Sequence, residues 1–400
     1  MINLKKNIIE TVFVRGGILA LNLAITVIVA RLWSAEGTGM VKLFAADIAI
    51  MSILCNIFTS SSVSYFLKRV GQSRLATQAY LWVFMVSGIL ALILSLRSGG
   101  SNLTLFLFVI SVLLGFVAFH SSLFLGSQKI PYYNLVTLLQ PLLLLLFMFT
   151  IYYVFQDKCS YNAYFYAQII SLLLVFLFAK IITRKILGKS VFDLDKKTIK
   201  DSFHFGWKVE LSNLLQFFNY RVSWYILLYF SGIESVGILA AGVSIAEAIW
   251  IFSRSISLVQ YSNVLQTGDT IKARKETSKF SLISFLASAI CIAIIAVFPE
   301  NIFVWIFKGT EFAYVKVIIL LLSPGILAIA ISNVYGHFFS ATGMLNILIV
   351  KSAVGLLVAM VLSVLLIPKM GIAGACIVNS AAYITSSAVL VVLFFRKKRK

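Results

Sequence analysis

Apolar runs of roughly 20 residues or more recur from one end of this chain to the other, and no long polar stretch separates them. A helix rising 1.5 Å per residue needs about 20 residues to cross the ~30 Å hydrocarbon core of a bilayer. Lipid offers no hydrogen-bond partners, so each run must satisfy its own backbone, which an α-helix does. The expectation is an all-α polytopic membrane protein. With 60% hydrophobic and only 12% charged residues, the chain leaves no room for a soluble catalytic domain.

Turn and charge signals divide the 400 residues into about twelve spans, near 8–30, 40–66, 76–96, 102–125, 131–155, 160–183, 203–230, 236–262, 279–300, 312–340, 344–367 and 371–395. Pro324 inside the tenth predicts a kink, because proline lacks a backbone donor and crowds the preceding turn. Lys5 and Lys6 precede the first run, but Arg15 interrupts it and no cleavage motif follows, so it reads as an uncleaved first helix.

The formal charge of +20 sits in short clusters between apolar runs. It is not a stripe interleaved with exposed aromatics, so no nucleic-acid partner is expected. The clusters at Lys68–Arg74, Lys129, Arg184–Lys200, Lys272–Lys279 and Arg396–Lys400 all fall on one side if the amino end is cytoplasmic. That asymmetry predicts both termini in the cytoplasm. The longest loop follows the sixth span, which predicts a six-helix bundle over 1–183, a cytoplasmic linker over 184–202, a second six-helix bundle over 203–395 and a basic tail over 396–400. Two bundles with a site between them is a recurring transporter plan.

Soluble-enzyme signals fail. The "LGKS" at Leu187–Ser190 ends like a phosphate-binding loop, but Thr183 stands where the first glycine is required. The "DLD" at Asp193–Asp195 lies among lysines and reads as solvated linker. His120, His204 and His337 have no partners at metal-ligand spacing, and the four cysteines show no paired spacing, so no metal, cofactor or disulfide is expected. No nucleophile pattern is present, and the chain does not read as an enzyme.

The informative residues are ionisable groups within spans, which almost always face a bundle interior or a wet cavity. Thr11, Arg15, Asn22 and Thr26 lie on one helical stripe, and Glu210 and Arg221 share a face about 16 Å apart. Ser244, Glu247, Arg254 and Tyr261 form another stripe, His337 shares a face with Asn333 and Ser340, and Lys351 lies about two turns into the eleventh span. Arg15, Arg221, Arg254 and Lys351 are the candidate substrate-binding cations. Asn22, Asp47, Glu210, Glu247 and His337 are candidate cavity or coupling groups. The alternative is that Arg15 and Lys351 snorkel to an interface while Arg254 pairs with Glu247. If the cations converge, they suit an anionic solute, and arginine's planar fork matches phosphate oxygens.

Four stretches carry a family resemblance. They are "ARLWSAEGTGMVKLF" (Ala30–Phe44), "NYRVSWYILLYFSGIESVGILAAGVSIAEAIWIFSRSIS" (Asn219–Ser257), "GHFFSATGMLN" (Gly336–Asn346) and "LLIPKMGIAGACI" (Leu365–Ile377). In order, they resemble the polysaccharide-export flippases of the multidrug/oligosaccharidyl-lipid/polysaccharide superfamily, most nearly the Wzx-type O-antigen flippases. Ser223 departs from the pattern, standing where many relatives carry aspartate after N-Y-R.

The resemblance implies a MATE-like fold in a bacterial inner membrane. It also implies translocation of an undecaprenyl-pyrophosphate-linked oligosaccharide, an O-antigen repeat unit, from the cytoplasmic to the periplasmic leaflet in lipopolysaccharide biosynthesis. The expected partners are that lipid-linked substrate, membrane lipid, and a polysaccharide polymerase and chain-length regulator. The competing readings are a cation-coupled multidrug exporter of the same fold and a membrane-bound O-antigen polymerase or glycosyltransferase.

Overall fold

In the structure, a computed structural model, residues 2–98, 102–155, 159–188, 190–266 and 270–396 are described. Lys189 of "LGKS", Gln156–Lys158 and the tail beyond Arg396 lie outside them. The described chain is almost wholly helical: α1 Ile2–Thr59, α2 Ser61–Val70, α3 Gln72–Ser98, α4 Asn102–Gly126, α5 Ile130–Thr150, α6 Asn162–Leu187, α7 Lys196–Gln266, α8 Thr270–Val297, α9 Glu300–Phe307, α10 Val315–Ala341 and α11 Leu345–Arg396.

Nine of the described helices are long and apolar enough to cross a membrane. Three of them, α1, α7 and α11, are broken by non-helical residues at Trp33–Ser34, Gly232 and Gly371 respectively. The chain folds back at the first two. Lys42 Nζ lies 2.7 Å from Thr26 Oγ1, although 16 residues of straight helix would separate them by about 24 Å. Arg221 reaches Glu247 at 2.5 Å, although 26 residues of helix would span about 39 Å. In α11, a Cβ on Gly374 would meet the Leu366 carbonyl at 2.7 Å, an approach that eight residues of straight helix forbid. Counting each broken helix twice gives twelve crossings among the described residues. Gly232 has φ +78, a conformation that glycine adopts without penalty, which is why the reversal sits within "SGIESVG".

One span ends earlier than its hydropathy suggests. The predicted 40–66 run stops as helix at Thr59, and Ser60 (φ −113, ψ −104) turns the chain into the short amphipathic α2. Hydropathy averages across that break because Val63, Tyr65, Phe66 and Leu67 follow it. The helix α10 runs without interruption through Pro324.

The packing shows which solvent the helices meet. On α8, Thr277, Ser281, Ser284 and Ser288 are buried, and Ser284 Oγ donates to the Ala330 carbonyl of α10 at 2.8 Å. The opposite face exposes Ile283, Leu286, Ile290 and Ile294. A helix with small polar residues inside and large aliphatic ones outside is stable in lipid, where close approach and interhelical hydrogen bonds drive association.

The chain divides into two compact units, residues 1–25 with 44–214 and residues 26–43 with 215–400. In the first unit, Phe44 and Phe106 pack with tilted rings against Phe165 in a core completed along α6 by Leu172, Val175 and Ala179, which follow helical spacing. In the second, the turn of α1 locks into the turn of α7. A Cβ on Gly237 would lie 1.8 Å from the Ala35 carbonyl, and one on Gly39 would lie 2.2 Å from the Ile233 carbonyl, so only glycine permits this backbone contact. Arg31 fastens the same corner by donating to the Ile306 and Trp305 carbonyls at 2.7 and 3.0 Å, where a cation complements the exposed last carbonyls of α9.

Candidate functional site

The second unit gathers ionic groups from both arms of α7 and from the hairpin tip of α1. Arg221 on the first arm donates to Glu247 on the second at 2.5 Å, the two side chains being 19% and 29% exposed. The guanidinium carbon also sits 4.2 Å from the centroid of Trp224, one turn along the same helix. Lys42 lies within electrostatic reach of Glu247, as does Arg254. Glu247 therefore has one cation in contact and two more within electrostatic reach.

Their donors are not all spent. Lys42 Nζ donates to Thr26 Oγ1 at 2.7 Å and to Ser244 Oγ at 3.1 Å. Ser244 passes its own proton to the Ala240 carbonyl, so it accepts from the lysine. That leaves one of three ammonium protons. Arg221 commits one nitrogen to Glu247 and keeps the rest of its fork. Arg254 is exposed, lies over Trp250 at 5.9 Å, and makes no ion pair among the described residues. Tyr220, Trp250 and Tyr383 form an aromatic triad beside this group, with centroid separations of 5.2 to 5.9 Å. Ser223, at the position of the expected aspartate, donates to Asn379 Oδ1 at 2.8 Å, a neutral link in place of an acid.

Of the sequence-predicted residues, the structure brings Arg221, Glu247 and Arg254 together. The partner of Glu247 is Arg221, not Arg254 as the alternative pairing had it. Lys351 is half-buried on α11 and makes no ion pair among the described residues, while Ser352 beside it donates to Gln216 at 2.9 Å. His337 packs edge-on against Tyr261 at 5.6 Å, and Asn333 donates to Ser253 at 2.6 Å. Arg15, Asn22, Asp47 and Glu210 belong to the first unit. There Arg15 is exposed, Asn22 and Asp47 each have an interaction partner, and buried Glu210 accepts from Asn213 at 2.9 Å.

Lys42 was not among the predicted site residues. It lies two residues into its span, where a lysine reads as an interfacial anchor. The signal that could have found it is the two stripes it joins, Thr26 on one and Ser244 on the other.

The first unit handles a buried polar group differently. His120 is 3% exposed and spans from Tyr80 Oη (3.0 Å from Nε2) to Thr183 Oγ1 (2.9 Å from Nδ1). Thr183 donates its proton to the Ala179 carbonyl, so it accepts from Nδ1–H, and Tyr80 donates to Nε2. That pattern suits the neutral imidazole with its proton on Nδ1.

Twelve long apolar helical segments among the described residues, divided between two units, are the helical complement of a polytopic membrane protein of MATE-like fold. Solved structures of that class align over nearly the whole chain. Lipid II flippase MurJ in an inward closed conformation matches with TM-score 0.74 at 14% identity, covering 96% of this chain and 87% of that one. A variant of the Vibrio cholerae MATE transporter VcmN matches with TM-score 0.70 at 14% identity, covering 99% and 97%. A transporter of the MOP superfamily from Pyrococcus furiosus, described by the reverse polarity of its binding pocket, matches with TM-score 0.64 at 13% identity, covering 98% and 95%. No curated protein sequence matches significantly. The family of polysaccharide biosynthesis proteins (Polysacc_synt) matches over residues 4–261, and the chain belongs to it.

Proposed function

We propose that this chain is a flippase that carries undecaprenyl-pyrophosphate-linked oligosaccharide, an O-antigen repeat unit, from the cytoplasmic to the periplasmic leaflet of a bacterial inner membrane by alternating access. The observation that carries the reading is the surplus of cations in the second unit: Lys42, Arg221 and Arg254 around Glu247, with donors unspent. A pyrophosphate offers several anionic oxygens, and charge-assisted hydrogen bonds from arginine and lysine to such oxygens are roughly twice as strong as neutral ones. The same surplus repels cationic drugs and so disfavours the multidrug-exporter reading. Membership of a polysaccharide biosynthesis family supports a saccharide-bearing substrate, and the inside-negative potential would favour outward movement of its charge by about 2.3 kcal/mol per charge per 100 mV crossed.

The test uses sealed inner-membrane vesicles loaded with the lipid-linked oligosaccharide and reads which leaflet exposes the sugar. Arg254→Gln and Lys42→Gln, which leave the Arg221–Glu247 pair intact, should each slow appearance of sugar on the periplasmic face by about tenfold or more at equal protein abundance, as expected for loss of one charged hydrogen bond. Transport at the wild-type rate in both variants would overturn the cationic site.

A further inference from the structure

A cavity of about 1100 Å³ opens in the first unit, outside the unit that holds the ionic cluster. Its walls are aromatic. Phe203 lies 6.1 Å from Phe58 and 5.9 Å from Trp82, and Phe205 stacks on Tyr65 at 4.6 Å. This assembly depends on a backbone contact, because a Cβ on Gly206 would lie 2.0 Å from the Ile57 carbonyl. The first turns of α7 are thereby pressed onto the end of α1, and Phe203 and Phe205 face the aromatics of α1, α2 and α3.

The rim is basic. Arg69, Lys196, Lys200 and Lys208 line the cavity against a single acid, Asp201. Arg69 lies over the face of Tyr65 at 4.8 Å. The wall residues Tyr65, Met85 and Phe203 are 47%, 49% and 40% exposed, so the apolar surface is open and not sealed core. It is built where membrane-crossing helices end and the amphipathic α2 lies between two of them. The size lies just above the ~300–1000 Å³ range of typical ligand sites. An occupant must offer hydrocarbon to the aromatic wall and an anion to the rim. Free phosphate satisfies only the second demand, and a nucleotide, although its base can stack on the aromatics, brings no hydrocarbon chain to a wall built where membrane-crossing helices end.

From this geometry we infer that the cavity binds a phosphate-bearing lipid, its chain against Phe203, Phe205 and Trp82 and its phosphate at the basic rim. The site is separate from the transport reading above and does not depend on it.

The experiment uses the full chain in nanodiscs with phosphatidylglycerol carrying a photoreactive group on its acyl chain, and maps the labelled peptides. Labelling should concentrate in 58–85 and 196–208, and exceed that by the matching phosphatidylcholine probe. The triple variant Arg69→Gln/Lys200→Gln/Lys208→Gln should weaken it roughly a hundredfold, as expected from removing three basic residues, each worth about fivefold, beside an anionic headgroup. Phe203→Ala/Phe205→Ala should lower labelling by both probes. Competition by unlabelled phosphatidylglycerol or by a polyprenyl phosphate supports the site and identifies the preferred lipid. Equal labelling by the two probes, an unaffected triple variant, or displacement of the label by inorganic pyrophosphate or ATP would overturn it. Because the three cations lie on the open rim, the triple variant should melt in detergent like the wild type, which separates lost binding from lost folding.

Discussion

Arg221 in the second unit and His120 in the first pose the same problem, a polar side chain deep among apolar helices, and the chain solves it in opposite ways. Arg221 keeps its charge and receives a carboxylate from the other arm of its own helix. His120 is held by a hydroxyl on each side, one donating and one accepting, and makes no ion pair among the described residues, with Lys180 nearby. The first solution leaves charge and unused donors on display, which a site for an anion needs. The second closes every valence of the ring and leaves a rigid strut between α3, α4 and α6. Buried polarity is thus no guide to function by itself; what separates the two is whether donors remain after the internal partners are served.

The comparison breaks most sharply at Glu247. Replacing it by glutamine leaves Arg221 without its partner and Lys42 and Arg254 without the charge that offsets them, and removing one member of a buried pair costs about 3–5 kcal/mol. Arg221→Gln should cost less, because Glu247 retains two cations in reach. The double variant Arg221→Gln/Glu247→Gln should recover part of the loss. Unfolding of the three purified variants in mixed micelles measures this ordering. If Arg221→Gln proves the costlier single change, the three-cation description of the cluster is wrong.

The fold was largely legible in the sequence because hydropathy registers the spans directly and "SGIESVG" marks a reversal that glycine makes possible. The pairing of Arg221 with Glu247 was not. The two residues are 26 apart, and which faces meet after a reversal depends on the rotational phase of each arm, set by contacts such as Gly237 on Ala35. The tight motif glycines could be recognised as a pattern, but their reason, backbone against backbone, appears only when α1 and α7 are seen together. The break at Ser60 was hidden for the opposite reason, since apolar residues continue on both sides of it. The aromatic cavity of the first unit was hidden because Phe203, Phe205 and Trp82 are ordinary residues for a membrane helix, and only their convergence is unusual.

A smaller effect is expected at the neutral strut. Tyr80→Phe removes the hydroxyl that donates to His120 Nε2 and leaves a buried acceptor unserved, a loss of about 1–2 kcal/mol in the same unfolding measurement. Since no charge is stranded, the cost should fall well below that of Glu247→Gln. A loss as large as that of the ionic variant would show that His120 is carrying charge, and would erase the contrast between the units.

The smallest effect is at a carboxylate that water can reach. Asp195 precedes α7 and accepts from the Thr198 hydroxyl at 2.5 Å and the Thr198 amide at 3.0 Å, an N-terminal cap. Those hydrogen bonds, the hydroxyl's first, hold its carboxyl below the usual range. A folded-state value depressed below the unfolded one gives stability that is present above about pH 4 and lost as pH falls through the depressed value. Asp195→Ala should therefore lower the melting temperature slightly at neutral pH, with the difference from wild type shrinking in acid, while Asp195→Asn keeps most of the cap, starts closer to wild type, and shifts by the same amount in acid because both variants lack the titrating carboxyl. A difference that persists unchanged in strong acid would mean that the carboxylate contributes through packing instead. Asp195 is held by hydrogen bonds from Thr198 with Arg74 only at a distance, whereas Glu247 is in direct contact with Arg221, and that contact is the difference between the two carboxylates.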